Sequence, residues 1–412
     1  MGKVKVSEPM IIAQSTKEPI LFGGYQDPFI RCNDKKELFL RYNTRRDCLE
    51  TFGKEHTNPI FKSTDEGKTW EFLEEPLFDW ITAQKPLPNG DYLQIGEHEV
   101  IKDFGELPEL PEYRKKCSGI ACTRDVYLVD ELLPILGDKI EKEFKAYRVK
   151  AGTNEVVEET CKVNWPNMPV SLYEGAILCR VFPAVGYNYA IDKQGVLWLP
   201  VPAPYVTSDG KLGSQRSCTH MLKSDDMGHT WDYVSTIVYK EEYNNPNCID
   251  IEGFNECAVD VLEDGTIYCI LRSGSLHPFI KGDDEHPAPK LYCAKSKDEG
   301  KTWEEISPFY DYGVLPQMIK LNCGTHLMSS GRPGVYIRSC SEPDLKEWND
   351  IIPIVAVPDE EVYGAYYEYS CSNTALCAYD EHTAFLTYSD FTLKTPNGER
   401  AKSILIRKIT VE

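Results

Sequence analysis

Short runs in which apolar and polar residues alternate dominate the chain, and Gly, Asp, Asn and Pro separate them. Glu37-Leu38-Phe39-Leu40-Arg41-Tyr42, Val196-Leu197-Trp198-Leu199 and Gly265-Thr266-Ile267-Tyr268-Cys269-Ile270-Leu271 are examples. A period of two puts successive side chains on opposite faces of an extended backbone, so these runs predict strands. Only Asp130 to Lys145 mixes charges with Leu and Ile in a helix-like way. The pattern predicts an almost entirely all-β chain.

One element recurs between the runs. Ser224-Asp225-Asp226-Met227-Gly228-His229-Thr230-Trp231 shares its S-x-D-x-G-x-T-W pattern with Ser63 to Trp70 and Ser296 to Trp303. A damaged copy runs from Ser341 to Trp348. The Ser and Asp side chains suit bonds to nearby backbone N–H groups, Gly supplies a positive φ, and Trp opens the next strand. Taken singly, this is a surface turn with no chemistry. Its recurrence marks a radial array of similar sheets. Units end near Trp70, Trp231, Trp303 and Trp348, an enlarged second unit carries Asp91 to Val100 and Gly119 to Leu128, and a last one starts near Tyr369. The prediction is a six-bladed β-propeller, or seven blades if Phe144 to Val163 forms one of its own. Ser403 to Arg407 is expected to pair with Met10 to Ala13, closing the ring and removing open sheet edges. No boundary interrupts residues 1–412, which read as a single propeller domain.

Composition is globular, at 42% hydrophobic and 11% aromatic residues. A formal charge of −20 argues against nucleic acid as a partner, because phosphate binding needs clustered Lys and Arg. It leaves room for a local basic pocket. No run reaches the length of a membrane span, and Met1 to Val6 has no apolar core with a cleavage site, so no membrane partner is expected. The 15 cysteines are odd in number and scattered, many in strand-like runs such as Cys179, Cys257, Cys269 and Cys293. They read as reduced thiols in a cytoplasmic protein. Cys117 and Cys122 are a close pair, but no second pair has zinc spacing, so neither metal nor cofactor is expected.

The repeated turn resembles the Asp-box of the sialidase (neuraminidase) superfamily of six-bladed propellers, and the resemblance covers nearly the whole chain. Asp-boxes also occur in propellers without glycosidase activity, so the discriminating residues lie elsewhere. In Asn255-Glu256-Cys257 through Asp264-Gly265 to Leu271-Arg272-Ser273, a Glu opens one strand and an Arg closes the next. Antiparallel pairing returns Arg272 beside Glu256; the bland alternative is an exposed pair on a hairpin. The resemblance implies that Glu256 activates a tyrosine and that Arg272 is one of three arginines clamping a substrate carboxylate. Both roles suit the groups: a guanidinium grips a carboxylate with two parallel bonds, and a carboxylate polarises a phenol. Arg332 in Gly331-Arg332-Pro333 is similar to another clamp member, with Arg338 as the fallback. Tyr369 in Tyr369-Ser370-Cys371-Ser372 is similar to the superfamily's nucleophile, with Tyr363, Tyr366 and Tyr367 close by among 24 tyrosines.

The first blade departs from the superfamily. Gln26, in Tyr25-Gln26-Asp27-Pro28, occupies the place of the first clamp arginine, and a neutral amide makes no charge-assisted fork. Arg31, Arg41, Arg45 and Arg46 are the alternatives from this blade. Asp47 is the candidate acid/base, with Asp27 second. The departure raises the interest of His98 and Arg180, because a His near an Arg that neutralises a uronate is what β-elimination needs. Tyr187 and Tyr189 suit either a wall for a sugar ring or simple packing. Three readings follow. The first is an exo-acting glycoside hydrolase of the sialidase type that releases a terminal acidic sugar. The second is a lyase acting at a uronic acid through His98 and Arg180. The third is a non-catalytic glycan-binding propeller. An acidic carbohydrate is the expected partner.

Overall fold

The computed structural model describes residues 3–17, 24–44, 58–74, 85–95, 98–99, 115–118, 123–140, 143–153, 155–173, 179–181, 189–239, 251–275, 290–358 and 368–412. In the first repeated turn, Ser63 Oγ donates to Asp65 Oδ1 (2.9 Å) and accepts the Gly67 N–H (3.0 Å), while Asp65 Oδ1 accepts the Thr69 N–H (2.9 Å). The same three bonds recur at Ser224, Asp226, Gly228 and Thr230 (2.8, 2.9 and 2.8 Å). They recur again at Ser296, Asp298, Gly300 and Thr302 (2.9 Å each). Two successive residues, not one, take positive φ: Glu66 and Gly67, Met227 and Gly228, Glu299 and Gly300. The damaged copy keeps one of the two positive-φ residues and replaces a lost bond. Leu345 holds the glycine position at φ 50°, and Glu342 Oε2 accepts the Glu347 N–H (3.0 Å) that Pro343, in the Asp position, cannot.

Seven groups of antiparallel strands follow in chain order among the described residues. Sheet I holds Gln26–Cys32, Leu38–Asn43, Ile60–Ser63 and Glu71–Phe72. Sheet II holds Tyr92–Ile95, Glu143–Val149 and Val156–Asn164. Sheet III runs, in spatial order, His98–Glu99, Cys179–Val181, Pro169–Tyr173, Thr123–Leu128 and Lys115–Ser118. Sheet IV holds Ala190–Ile191, Leu197–Val206, Leu212–Ser224 and Thr230–Val238. Sheet V holds Ile251–Val261, Ile267–Ser275, Leu291–Ser296 and Ser307–Tyr310. Sheet VI holds Val314–Lys320, His326–Gly331, Val335–Cys340 and Ile352–Val355. Sheet VII holds Thr374–Ala378, Thr383–Asp390 and Lys402–Val411, edged by the N-terminal Val4–Val6 and Met10–Ser15. Parallel bridges join IV to II at Lys162↔Thr230 and IV to V at Ser217↔Gly253. In sheets I, IV, V and VI the repeated turn links the third strand to the fourth.

The expected pairing of the chain's two ends is present: Met10 lies opposite Ile406, Ile11 opposite Leu405 and Ala13 opposite Ile404. The helical stretch is shorter than Asp130 to Lys145. The helix covers Val129–Leu136 and stops at Gly137, whose φ of 51° leaves helical space; from Glu143 the alternating residues pair as a strand of sheet II. No helix among the described residues is long and apolar enough to cross a membrane.

The sheets form two compact units, Met1–Gln84 with Tyr312–Glu412, and Lys85–Asp311. In the first unit, Ile30, Leu38 and Leu40 of sheet I pack on Ala375, Cys377 and Phe385 of sheet VII, and Leu327 and Ile337 of sheet VI on Leu376 and Leu386. In the second, Leu93 and Ala146 of sheet II meet Leu197 and Trp231 of sheet IV, and Trp198 and Met221 meet Val259 and Leu271 of sheet V. Each such buried aliphatic side chain contributes roughly 1.5–3 kcal/mol. The repeated turn takes part in this packing. A Cβ on Gly228 would stand 2.2 Å from Leu93 Cδ2, so glycine there serves close approach as well as its φ of 88°.

Candidate active site

Every sheet with the repeated turn has an opposite end, where its first strand begins and its second strand finishes. Glu256, Arg272, Gln26, Asp27 and Arg332 lie toward these opening ends. In sheet V, Phe254 pairs with Ser273 and Cys257 with Leu271, so Asn255 and Glu256 together oppose Arg272 alone. This is a β-bulge, a device that re-aims a side chain. The Asp264-Gly265 turn that returns the chain is closed by Leu262 N–H to Thr266 O (2.8 Å), with Gly265 at φ 88°. The expected juxtaposition follows: Arg272 Nη1 donates to Glu256 Oε1 at 2.8 Å. The pair is not exposed on a hairpin, because the two side chains are only 7% and 20% accessible. Removing two ions from water costs several kcal/mol each, and such pairs are often no more stabilising than apolar replacements.

The first unit gathers three opening ends. Gln26 begins sheet I opposite Asn43 and is 1% exposed, and its Oε1 has no hydrogen-bond partner among the described residues. Asp27 follows at φ 46°, within a second bulge, and accepts a bond from Asn373 Nδ2. Asn373 closes the segment Ser370-Cys371-Ser372, which enters sheet VII. Ser389 Oγ receives the Cys371 N–H (2.9 Å), and Ser370 Oγ the Ser372 N–H (2.8 Å). Burial pushes the Cys371 thiol up to about 11, and the Asp27 carboxylate adds to the rise. Sheet VI approaches from the other side: a Cβ on Gly331 would lie 2.3 Å from Ser372 O. Arg332, next in the turn, is buried at φ 60°, a strained conformation for a non-glycine residue, and its N–H reaches Gly334 O (3.2 Å). Tyr369 is partly buried, its ring against the apolar cluster of sheets VI and VII, and its carbonyl accepts the Phe391 N–H (2.8 Å).

Other candidates stand apart from these ends. Arg338 binds the Asn349 and Trp348 carbonyls (3.0 and 3.1 Å) and so belongs to the damaged turn. Arg41 lies within sheet I, its guanidinium 4.6 Å over the Phe29 ring. Tyr189 packs: burial pushes its phenol up, and its hydroxyl donates to Lys85 O (2.9 Å). In sheet III, Arg180 is in register with Glu99 and His98 with Val181, so the two are not directly opposite. Asp47, Arg45, Arg46, Tyr187, Tyr363, Tyr366 and Tyr367 lie outside the described residues. Sequence reasoning missed Asn373, the residue that holds Asp27. The available signal was the run of small polar residues, Ser370 to Asn373, just before a strand.

No family model matches the chain, and no curated protein sequence matches it. Among solved structures it is similar to a protein of unknown function from Dyadobacter fermentans DSM 18053, at 17% identity over 99% of each chain (TM-score 0.61). It is also similar to the Hadza microbial sialidase Hz136, at 12% identity over 92% of this chain and 64% of that one (TM-score 0.51). A third likeness is to the α-L-arabinanase of Penicillium chrysogenum, solved with arabinobiose, at 14% identity over 98% of each chain (TM-score 0.51). Identities this low speak for the fold alone: the chain is nearly all-β and has the fold of propeller glycoside hydrolases.

Proposed function

We propose that the protein is an exo-acting glycoside hydrolase of the sialidase type, releasing a terminal acidic sugar. The observation that carries this reading is the desolvated Glu256–Arg272 pair at a bulge on an opening end. In this reading Tyr369 is the nucleophile and Glu256 its general base. Arg272 and Arg332 hold the substrate carboxylate, and Asp47 protonates the leaving oxygen and later activates water. A substrate carboxylate beside the anomeric carbon repels an anionic nucleophile. A neutral phenol paired with a carboxylate base avoids that repulsion until the proton moves. The buried, strained Arg332 suits anion binding, since a guanidinium fixed in place loses little freedom when it grips a carboxylate.

The test is release of free sugar from a fluorogenic sialoside, run beside Glu256→Gln. The reading expects turnover that the variant loses. No turnover of any nonulosonic acid glycoside would overturn it. Arabino-oligosaccharides belong in the same panel, because Gln26 presents an amide where the resemblance expects an arginine and an arabinanase shares the fold. Hydrolysis of those alone would keep the glycosidase and discard the acidic sugar.

A further inference from the structure

The first strands of sheets I and VII lie side by side in the first unit. They touch at their starts, where Asn373 binds Asp27. They pack along their length through Ile30 and Ala375. They are still in step at their far ends, where Cys32 packs against the apolar cluster that holds Cys377. Both residues are unbridged, Cys377 buried and Cys32 partly exposed. Positive charge stands next to Cys32: Arg31 precedes it, and the Lys36 ammonium lies 5.2 Å over the ring of Tyr379, two residues beyond Cys377. The neighbouring Cys377 thiol, with Lys36 and Arg31, holds the Cys32 thiol below its ordinary value against burial and the Asp34 carboxylate. Cys257 and Cys269 of sheet V supply the contrast. They are 3% and 0% exposed in an apolar cluster, and burial pushes Cys257 well above its ordinary value.

We propose that Cys32 and Cys377 are a redox-active dithiol that a low-molecular-weight disulfide oxidises to a bridge tying sheet I to sheet VII. The thiolate is the attacking species, and attack needs access, which Cys32 has and Cys377 lacks. Cys32 sulfur attacks one sulfur of the oxidant, forming a mixed disulfide and releasing one thiol. Cys377 sulfur then attacks Cys32 sulfur, and the second thiol leaves. Two electrons pass from the protein pair to the oxidant, and the two cysteine protons end on the two released thiols. The bridge lies at the turn end of these strands, away from Gln26, Asp27 and Arg332.

The experiment is incubation of the full chain with glutathione disulfide, then alkylation, intact mass and peptide mapping. The expected product has lost two hydrogens, carries no lasting glutathione, yields a Cys32–Cys377 peptide and reverts with a dithiol reductant. Cys377→Ser should instead accumulate glutathione on Cys32, and Cys32→Ser should give no bridge. Lasting glutathione on wild-type Cys32, a bridge through other cysteines, or no reaction would each overturn the proposal. A reading that needs no variant is the order of alkylation in the reduced wild-type chain. Cys32 should react before Cys257 and Cys269, and equal rates would contradict the assignment.

Discussion

The two ends of the same sheets are built on opposite principles. At the turn end, three copies of one eight-residue element repeat their Ser, Asp and Gly bonds to within 0.1 Å, and the bonds that define the turn stay within it. At the opening end nothing repeats. Asp27 is held by a residue 346 positions away and Arg272 by a carboxylate across a bulge. Local, self-satisfied chemistry can be copied from sheet to sheet and serves the architecture. Buried charge held by partners from elsewhere in the chain persists only where the surrounding structure over-determines it, as a binding end would require.

That contrast can be broken by substitution. The largest expected effect is on turnover: Glu256→Gln should lower kcat/KM by about 10²–10⁴-fold, as loss of a general base does. Arg272→Ala strands a buried carboxylate and should cost roughly 3–5 kcal/mol in denaturant unfolding. At the turn end the effects should fall on stability alone. Gly228→Ala meets Leu93 and a φ of 88°, and should cost about 2–3 kcal/mol. Ser296→Ala leaves the Gly300 N–H without its acceptor, at about 1–2 kcal/mol, with turnover untouched. Lost turnover in either turn variant would erase the distinction between the ends.

The smallest effect concerns pH. Bonds from the Thr69 and Thr302 hydroxyls, chiefly, hold Asp65 and Asp298 at about 2, below the ordinary 3.8. Because the folded values are depressed, their contribution is present above 3.8 and is lost as pH falls towards about 2. Thr302→Val should move Asp298 back towards 3.8 in a carboxyl NMR titration. An unmoved Asp298 would assign the depression to something other than the turn.

How much of this was legible follows from the same contrast. The turns, the strands they join and the Glu256–Arg272 pair rest on spacing of a few residues or on strand alternation, which a sequence displays, whereas the meeting of the chain's two ends was expected from the need of a radial array to close. Asn373 on Asp27, Cys377 on Cys32 and the parallel bridges of sheet IV join residues brought together only by packing between sheets, and no local pattern encodes them. Glu342 standing in for a lost Asp was hidden for another reason: a different side chain makes the same bond. The helix boundary was missed because Gly137 outweighed the apolar pattern around it.

The most direct test of the central claim, that the opening ends perform glycoside hydrolysis through a tyrosine, is the mass of the chain after reaction with a fluorinated sialosyl fluoride. One added sugar, mapped to Tyr369 and absent from Glu256→Gln, is the predicted result. A chain that stays unmodified, or that carries the sugar on another residue, contradicts it.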